Sequence, residues 1–373
     1  MKKLGFGMMR LPLLYPGNGR NVDMWQVRAM AEMFMDNGFT YFDTAYLYHN
    51  FFSEIVVSQC LVPFFPRDSY TVADKMPTMF LKEAKQMPEI FERQLRKCNL
   101  DYFDYYMMHD VNSSNYDSKI VPFGGFEFIA ERKKEGKVRE IGFSFHDGAE
   151  LLDRVLTEHP EVDFVQLQIN YLDWDDEGVQ SRLCYETAVK HGKKVIVMEP
   201  VKGGTLAKVP EPVEYVFKNA DPDASVASWA IRYAASLPNV MVVLSGMSNM
   251  EQMVDNISYM KDFKPLTDSE RETVAKAVKV LRGAAEIPCT GCNYCVDAGC
   301  PMNIPIPKYF TLYNNEKLLG NIGFSVHEEY YWNLAENCGK ASECLRCGNC
   351  EGVCPQHIHV IDNLVKVKDL FEK

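Results

Sequence analysis

Four ionisable side chains in the first third of the chain are of the types needed to hand a proton to a newly formed alkoxide. Asp43 and Tyr48 lie five residues apart in Phe42-Asp43-Thr44-Ala45-Tyr46-Leu47-Tyr48, Lys75 ends Ala73-Asp74-Lys75, and His109 ends Met107-Met108-His109. A phenol with an ordinary pKa of about 10 is a poor acid at neutral pH, but an adjacent ammonium favours the phenolate and lowers that value. The expectation is that Lys75 does this to Tyr48, while Asp43 keeps Lys75 protonated and oriented. Neutral His109 then donates a hydrogen bond to a carbonyl oxygen as charge develops on it. Each group follows a short apolar run, at a depth where charge is costly unless neighbours satisfy it.

The last quarter of the chain carries a second chemistry. Of the 12 cysteines, Cys60, Cys98 and Cys184 are scattered through apolar or helical contexts, where buried free thiols are expected, and Cys338 is left over as another free thiol. The other eight fall into two runs. Cys344-Leu-Arg-Cys347-Gly-Asn-Cys350-Glu-Gly-Val-Cys354-Pro355 matches C-x2-C-x2-C-x3-C-P, and the run Cys289, Cys292, Cys295, Cys300-Pro301 differs by one extra residue before its last cysteine. Cysteines at i, i+3 and i+6 suit three corners of a cubane, so two [4Fe-4S] clusters are expected; a pair of structural zinc sites is the alternative that C-x2-C spacing permits. In two-cluster ferredoxins the fourth cysteine of a run ligates the other cluster. One set is then Cys289, Cys292, Cys295 and Cys354, and the second is Cys344, Cys347, Cys350 and Cys300.

Positioning these groups takes a large fold with a small appendix, which 373 residues can supply. Apolar residues at 47% and charged residues at 24% are ordinary for a folded globular protein. The net charge of −11 disfavours nucleic acid and acidic membrane surfaces as partners. No apolar run is long enough to span a bilayer and the N-terminal stretch is too short for a signal sequence, so a cytoplasmic location is expected. Before residue 262, eight apolar runs (Leu4 to Met8, Tyr41 to Ala45, Tyr70 to Lys75, Asp104 to His109, Val138 to Phe145, Phe164 to Asn170, Lys194 to Glu199, Val240 to Ser245) alternate with amphipathic stretches. That rhythm predicts an α/β fold, a closed (β/α)8 TIM barrel, in which the catalytic groups sit at the C-terminal ends of the strands. A doubly wound sheet is the alternative, but Gly5-Phe6-Gly7-Met8-Met9-Arg10 puts Arg10 where the third glycine of its fingerprint belongs. The predicted domains are a barrel over 1–262, a helical linker over 263–287 containing a polar helix near Thr267 to Leu281, and a ferredoxin-like domain over 288–373. Repeated prolines predict that this last domain is rich in loops and held together by its metal.

The order and spacing of Phe42-Asp43-Thr44-Ala45, Tyr48, Lys75 and His109 resemble the tetrad of the aldo-keto reductase family. Gly5-Phe6-Gly7-Met8-Met9-Arg10-Leu11-Pro12, Ile141-Gly142-Phe143-Ser144 and Val197-Met198-Glu199-Pro200 extend the resemblance over about residues 1–261, toward the branch with a C-terminal iron-sulfur domain. The resemblance implies hydride transfer between a nicotinamide cofactor, NADP or NAD, and a small-molecule aldehyde or ketone, with Tyr48 as general acid. It further implies cofactor contacts from Gly7, Met8, Ser144, Gln166, Met198, Gly203, Gly246, Ser248, Gln252 and Asn256, with Ser144 and Gln166 on the carboxamide. Here Met198 stands where many members stack a tyrosine, Phe145 replaces the usual asparagine, and Gln252 stands where an arginine often meets the 2′-phosphate. NADPH and NADH therefore both stay open. Ser248 with Glu251 also reads as a capping box.

A nicotinamide delivers two electrons together and a [4Fe-4S] centre accepts one, so the two halves need an intermediary or separate tasks. Two readings follow. In the first, the chain is an oxidoreductase of a carbonyl/alcohol pair whose clusters are structural or serve a redox partner protein. In the second, it is an iron-sulfur electron-transfer protein whose barrel uses a flavin or no nucleotide. Tyr171-Leu172-Asp173-Trp174-Asp175-Asp176, after the sixth strand, reads either as a border of the substrate pocket or as an acidic surface loop.

Overall fold

The computed structural model of the chain describes residues 2–15, 19–176, 178–283, 286–289, 291–319 and 325–373. Eight parallel strands close into a barrel in chain order: β1 (Leu4–Gly7), β2 (Tyr41–Asp43), β3 (Thr71–Met76), β4 (Phe103–Val111), β5 (Val138–Phe145), β6 (Phe164–Gln168), β7 (Lys194–Met198) and β8 (Val240–Ser245), with β8 pairing back onto β1. The inside of the cylinder is filled by Tyr41, Ala73, Met107, Phe164, Ile196, Val242 and Leu244, so it is a packed core and not a pore. Apolar side chains on the outer strand faces pack under the helices and form the largest core. These helices start where the chain supplies a cap: Asp23 accepts from the Gln26 amide ahead of Met24–Asp36, and Ser225 from the Ser228 amide ahead of Val226–Ala235.

Glycine fixes the tightest strand approach. A Cβ on Gly142 would stand 2.3 Å from the carbonyl oxygen of Phe164, its partner across the β5–β6 ladder. Any larger residue pushes these strands apart.

An additional helix, Glu211–Ala220, lies between β7 and the helix Val226–Ala235. The helix Asp268–Gly283 packs on it. Val274, Ala277 and Leu281 share a core with Phe217, Trp229 and Leu206, so the stretch expected to link two domains covers a flank of the barrel.

The cysteine-bearing tail is more helical than the loop-rich domain expected. It contains the helices Ile306–Leu319, Val326–Asn337 and Val360–Phe371, which bury Tyr309, Phe310, Tyr331, Leu364, Val367 and Phe371 in a core of their own. The prolines mark helix ends here: Pro305 and Pro307 stand at the N-terminus of Ile306–Leu319, where a missing N–H costs nothing. Among the described residues no helix is long and apolar enough to cross a membrane.

Candidate active site and cysteine centres

The strand register brings the four ionisable groups together at the C-terminal mouth. β2 ends at Asp43, and β3 carries Lys75 beside it. Lys75 is fully buried; its Nζ donates to Asp43 Oδ1 at 2.6 Å and to the Thr44 carbonyl at 2.8 Å. Such a pair is held because removing either partner strands an uncompensated charge. The second Asp43 oxygen, Oδ2, accepts from Gln166 Nε2 at 3.2 Å. Tyr48 completes the arrangement: Lys75 Nζ lies 5.1 Å from the centroid of its ring, and the ammonium acts on the phenol through its charge. The His109 ring meets the Tyr48 ring edge-on at 6.2 Å, and His109 Nδ1 has no hydrogen-bond partner among the described residues.

The electrostatics correct one expectation. Tyr48 lies above the usual phenol range, not below it, because desolvation outweighs the lowering by Lys75, and Asp43 and Glu199 push the same way as desolvation. Lys75 is raised: burial disfavours its charge, but Asp43 and Tyr48 more than offset that. His109 is held well below the ordinary imidazole value by burial and by the positive field of Lys75, so it is neutral at pH 7.

The chain after Tyr48 is bent through an unusual path. His49, Asn50 and Phe51 all have positive φ, 52°, 52° and 67°, a conformation costing non-glycine residues roughly 1 kcal/mol or more each. His49 pins it: Nε2 accepts from the Leu11 amide at 3.0 Å and Nδ1 meets the Gly19 carbonyl at 2.9 Å. Sequence signals this run only weakly, since none of the three residues is glycine and only His49 and Asn50 are of types that enter this region more often than most.

The residues expected at a cofactor are split. Ser144 and Gln166 are register partners on β5 and β6, and Ser144 Oγ accepts from the Asp110 amide at 2.8 Å. Met8 is buried, and Gly7 and Gly246 adjoin one another beside Arg10: a Cβ on Gly7 would lie 3.4 Å from the Ser245 carbonyl oxygen, and one on Gly246 3.4 Å from Arg10 Cβ. Met198 ends β7, half-buried, opposite Gln168. Phe145 is core, packed on Phe143. The Gly203 amide donates to Glu199, whose other oxygen pairs with Arg10 at 3.2 Å. Asn256 is buried and spent internally: it donates to Ser245 Oγ at 2.8 Å and accepts from Tyr259. The helix Met250–Met260 is capped by Asn249, which accepts from the Gln252 amide, while the Gln252 carbonyl accepts from the Ser248 amide at 2.7 Å. The cap is therefore one residue later than the expected Ser248–Glu251 box.

Sequence reading missed what covers the mouth. The helix Val326–Asn337 lies across the loops that follow β4 and β5. Glu329 reaches Asp110, Tyr330 lies 6.1 Å from the His146 ring, Asn333 Nδ2 donates to the His146 carbonyl at 3.4 Å, and Asn337 Nδ2 is 3.5 Å from Ser113 Oγ. Residues 329, 333 and 337 share one helix face by their four-residue spacing. Nearby, Asp173 pairs with buried Lys202 and accepts from Gln168 and Asn170, while Asp176 accepts from Asn315 of the tail at 3.1 Å. The Tyr171 to Asp176 segment is thus no acidic surface loop: Asp173 is buried among barrel partners, and Asp176 joins the barrel to the tail. Only the helical spacing of Glu329, Asn333 and Asn337 hinted at this, since the partners lie about 200 residues away.

In the tail, Cys289, Cys292, Cys295 and Cys354 line one cavity with Ile306, Pro307, Phe310, Ile358 and Val360. Four thiols converging on a cavity whose other lining residues are apolar except for Gln356 fit a cluster better than a substrate. Cys300 and Cys344 pack on the same tail core, of which buried Cys350 is part. Cys60, Cys98 and Cys184 are buried free thiols, as expected.

This geometry agrees with two family matches: the Aldo/keto reductase family over residues 3–279 and the 4Fe-4S dicluster domain over residues 288–359. The chain belongs to the aldo/keto reductase family and carries a C-terminal 4Fe-4S dicluster domain. Among characterised relatives it is 26% identical to L-galactose dehydrogenase of Arabidopsis thaliana, over 65% of this chain and 82% of that protein. Among solved structures it resembles aldo-keto reductase AKR11C1 from Bacillus halodurans (23% identity, 74% of this chain and 91% of that one, TM-score 0.59). It also resembles an aldo-keto reductase from Klebsiella pneumoniae in complex with NADPH (20% identity, 74% and 90%, TM-score 0.57). Identities this low establish the fold that these chains share.

Proposed function

We propose that the chain transfers hydride between NAD(P)(H) and a small aldehyde or ketone, or the corresponding alcohol, with Tyr48 as general acid and base. The observation that carries this reading is the buried Asp43–Lys75 ion pair at the strand ends, with the Tyr48 ring 5.1 Å from Lys75 Nζ. When bound, the nicotinamide supplies or takes the hydride. Lys75, locked by Asp43 and the Thr44 carbonyl, stays protonated and holds the Tyr48 oxygen in place. Neutral His109 donates a hydrogen bond to the substrate oxygen, and Tyr48 gives that oxygen its proton. Accepting the Asp110 amide leaves the Ser144 O–H free to donate, and donating to Asp43 leaves the Gln166 side-chain carbonyl free to accept, a matched pair for a carboxamide. The NADPH held by the Klebsiella pneumoniae relative supports the phosphorylated nucleotide.

In the tail, Cys289, Cys292, Cys295 and Cys354 hold one [4Fe-4S] cluster and Cys300, Cys344, Cys347 and Cys350 hold the other; once bound, these clusters pass electrons singly. A second reading, an electron-transfer protein whose barrel no longer uses nicotinamide, is favoured by Phe145 and Asn256, which are committed to internal contacts. Anaerobic titration with NADPH and NADH, followed by a panel of small carbonyls, separates the two. The first reading expects saturable binding of at least one nucleotide and its consumption in step with one carbonyl. Saturable binding of neither defeats it.

A further inference from the structure

Besides the tetrad, one group of side chains at the barrel mouth has polar atoms without a balance of charge. Asp110 stands one residue before the end of β4 in a left-handed conformation (φ 59°), Glu329 comes from the tail helix Val326–Asn337, and His146 follows β5. One donor atom from each lies within 4.8 Å of the other two. His146 is 9% exposed, and its Nδ1 is buried without a hydrogen-bond partner among the described residues. The two carboxyl groups are half-buried and close to each other. The groups that act on them are each other, His146 and the Asn112 amide, which donates to Asp110 Oδ1 at 2.9 Å.

The adjoining contact between barrel and tail shows how this protein neutralises buried acid with its own residues. There Asp173 has Lys202 as a built-in counter-ion, with His327 of the tail hydrogen-bonded to Glu316 at 3.0 Å beside them. At Asp110 and Glu329 an unpartnered imidazole stands in the place of a lysine. One shared proton satisfies the carboxyl pair and leaves the imidazole unused. A divalent cation satisfies all three groups.

We propose that Asp110, His146 and Glu329 form a divalent-metal site that bridges the barrel and the iron-sulfur tail. Two carboxylate oxygens and one imidazole nitrogen suit a first-row divalent ion of the manganese to zinc range; soft ions would want sulfur and calcium or magnesium would want oxygen alone. Metal–ligand distances of about 2.1 Å require the donors to close by roughly an ångström, within reach of side-chain rotation at Asp110 and Glu329. Because Asp110 adjoins His109 in β4 and Glu329 belongs to the tail, the ion fastens the tail over the mouth of the reaction site.

The test uses the intact protein with its clusters in place, stripped of loosely bound metal under anaerobic conditions. Manganese(II) is added and the free ion is followed by electron paramagnetic resonance; zinc(II) is then added as competitor. The expected result is one equivalent bound per chain and displaced by zinc, with affinity at least about tenfold weaker in both Glu329→Gln and His146→Ala. Unchanged cluster absorption in each variant shows that the tail remains folded. Wild-type protein that leaves all the added manganese free overturns the proposal, as does wild-type affinity in either variant. The readout is binding, so the result is independent of whether the barrel reduces carbonyls.

Discussion

At Tyr48 two opposing effects act on one oxygen: burial disfavours the phenolate, and the Lys75 ammonium favours it. Burial wins, and the consequence is directional. With Tyr48 as the proposed general acid, reduction needs the protonated phenol, which persists below a pKa raised above about 10, so the rate is expected to stay flat through neutral pH and to fall only as pH rises through that value. Oxidation needs the oxygen free of its proton and therefore rises steadily toward alkaline pH. Turnover measured in both directions from about pH 6 to about pH 10 checks this; a reduction rate already halved below about pH 8 means that Lys75 dominates. The types and spacing of Asp43, Tyr48, Lys75 and His109 were legible in the sequence because strand ends are readable from apolar runs. The sign of the Tyr48 shift was not, since it depends on how much water the folded mouth excludes. Nor was the second task of Gln166, which holds the free oxygen of Asp43.

The strands were legible as elements because barrel strands buried on both faces read as short apolar runs; β6 ends at Gln168 and β7 at Met198, close to the expected limits. The tail helices were harder. Cysteine and proline spacing dominates that region, and the apolar periodicity of Val360–Phe371 serves a core whose other half includes Ile306, Tyr309, Phe310, Tyr313, Tyr330 and Tyr331. The cap of Met250–Met260 was misplaced by one residue because Ser248, Asn249 and Glu251 offer overlapping signals. Element spacing also sets Ser144 and Gln166, the pair proposed for the carboxamide. Gly142 lies one rung before Phe143 on β5, and Ser144 and Gln166 follow on the same ladder. Gly142→Ala places a methyl group against the Phe164 carbonyl, and we expect a stability loss of about 1–3 kcal/mol with weaker nucleotide binding. Urea unfolding and a nucleotide titration measure both; an unchanged midpoint refutes the close approach.

On the scale of the whole molecule, the tail is a cap on the barrel and also a carrier of cysteines. His327 is buried between Glu316, Asp173 and Lys202, and its pKa lies below the ordinary value, with burial the largest cause and Lys202 the next. Unfolding lets it take up a proton below about pH 6.5, so its contribution to stability is complete at neutral pH and is lost as pH falls from there through the lower folded value. Thermal midpoints at pH 7 and about pH 5.5 are expected to differ more for wild type than for His327→Gln; equal differences contradict it. The cluster assignment also crosses the tail. Cys354→Ala and Cys289→Ala are expected to remove the same cluster, leaving roughly four of about eight irons, while Cys300→Ala removes the other. Iron analysis with spectroscopy of the surviving cluster decides, and loss of different clusters in Cys354→Ala and Cys289→Ala contradicts the crossed sets.

The most direct measurement pairs nucleotide affinity with turnover in Tyr48→Phe, made anaerobically with a carbonyl that wild type reduces. The account predicts affinity within about twofold of wild type and turnover at least about a hundredfold lower, because only the proton is missing. Turnover near the wild-type rate in Tyr48→Phe contradicts it.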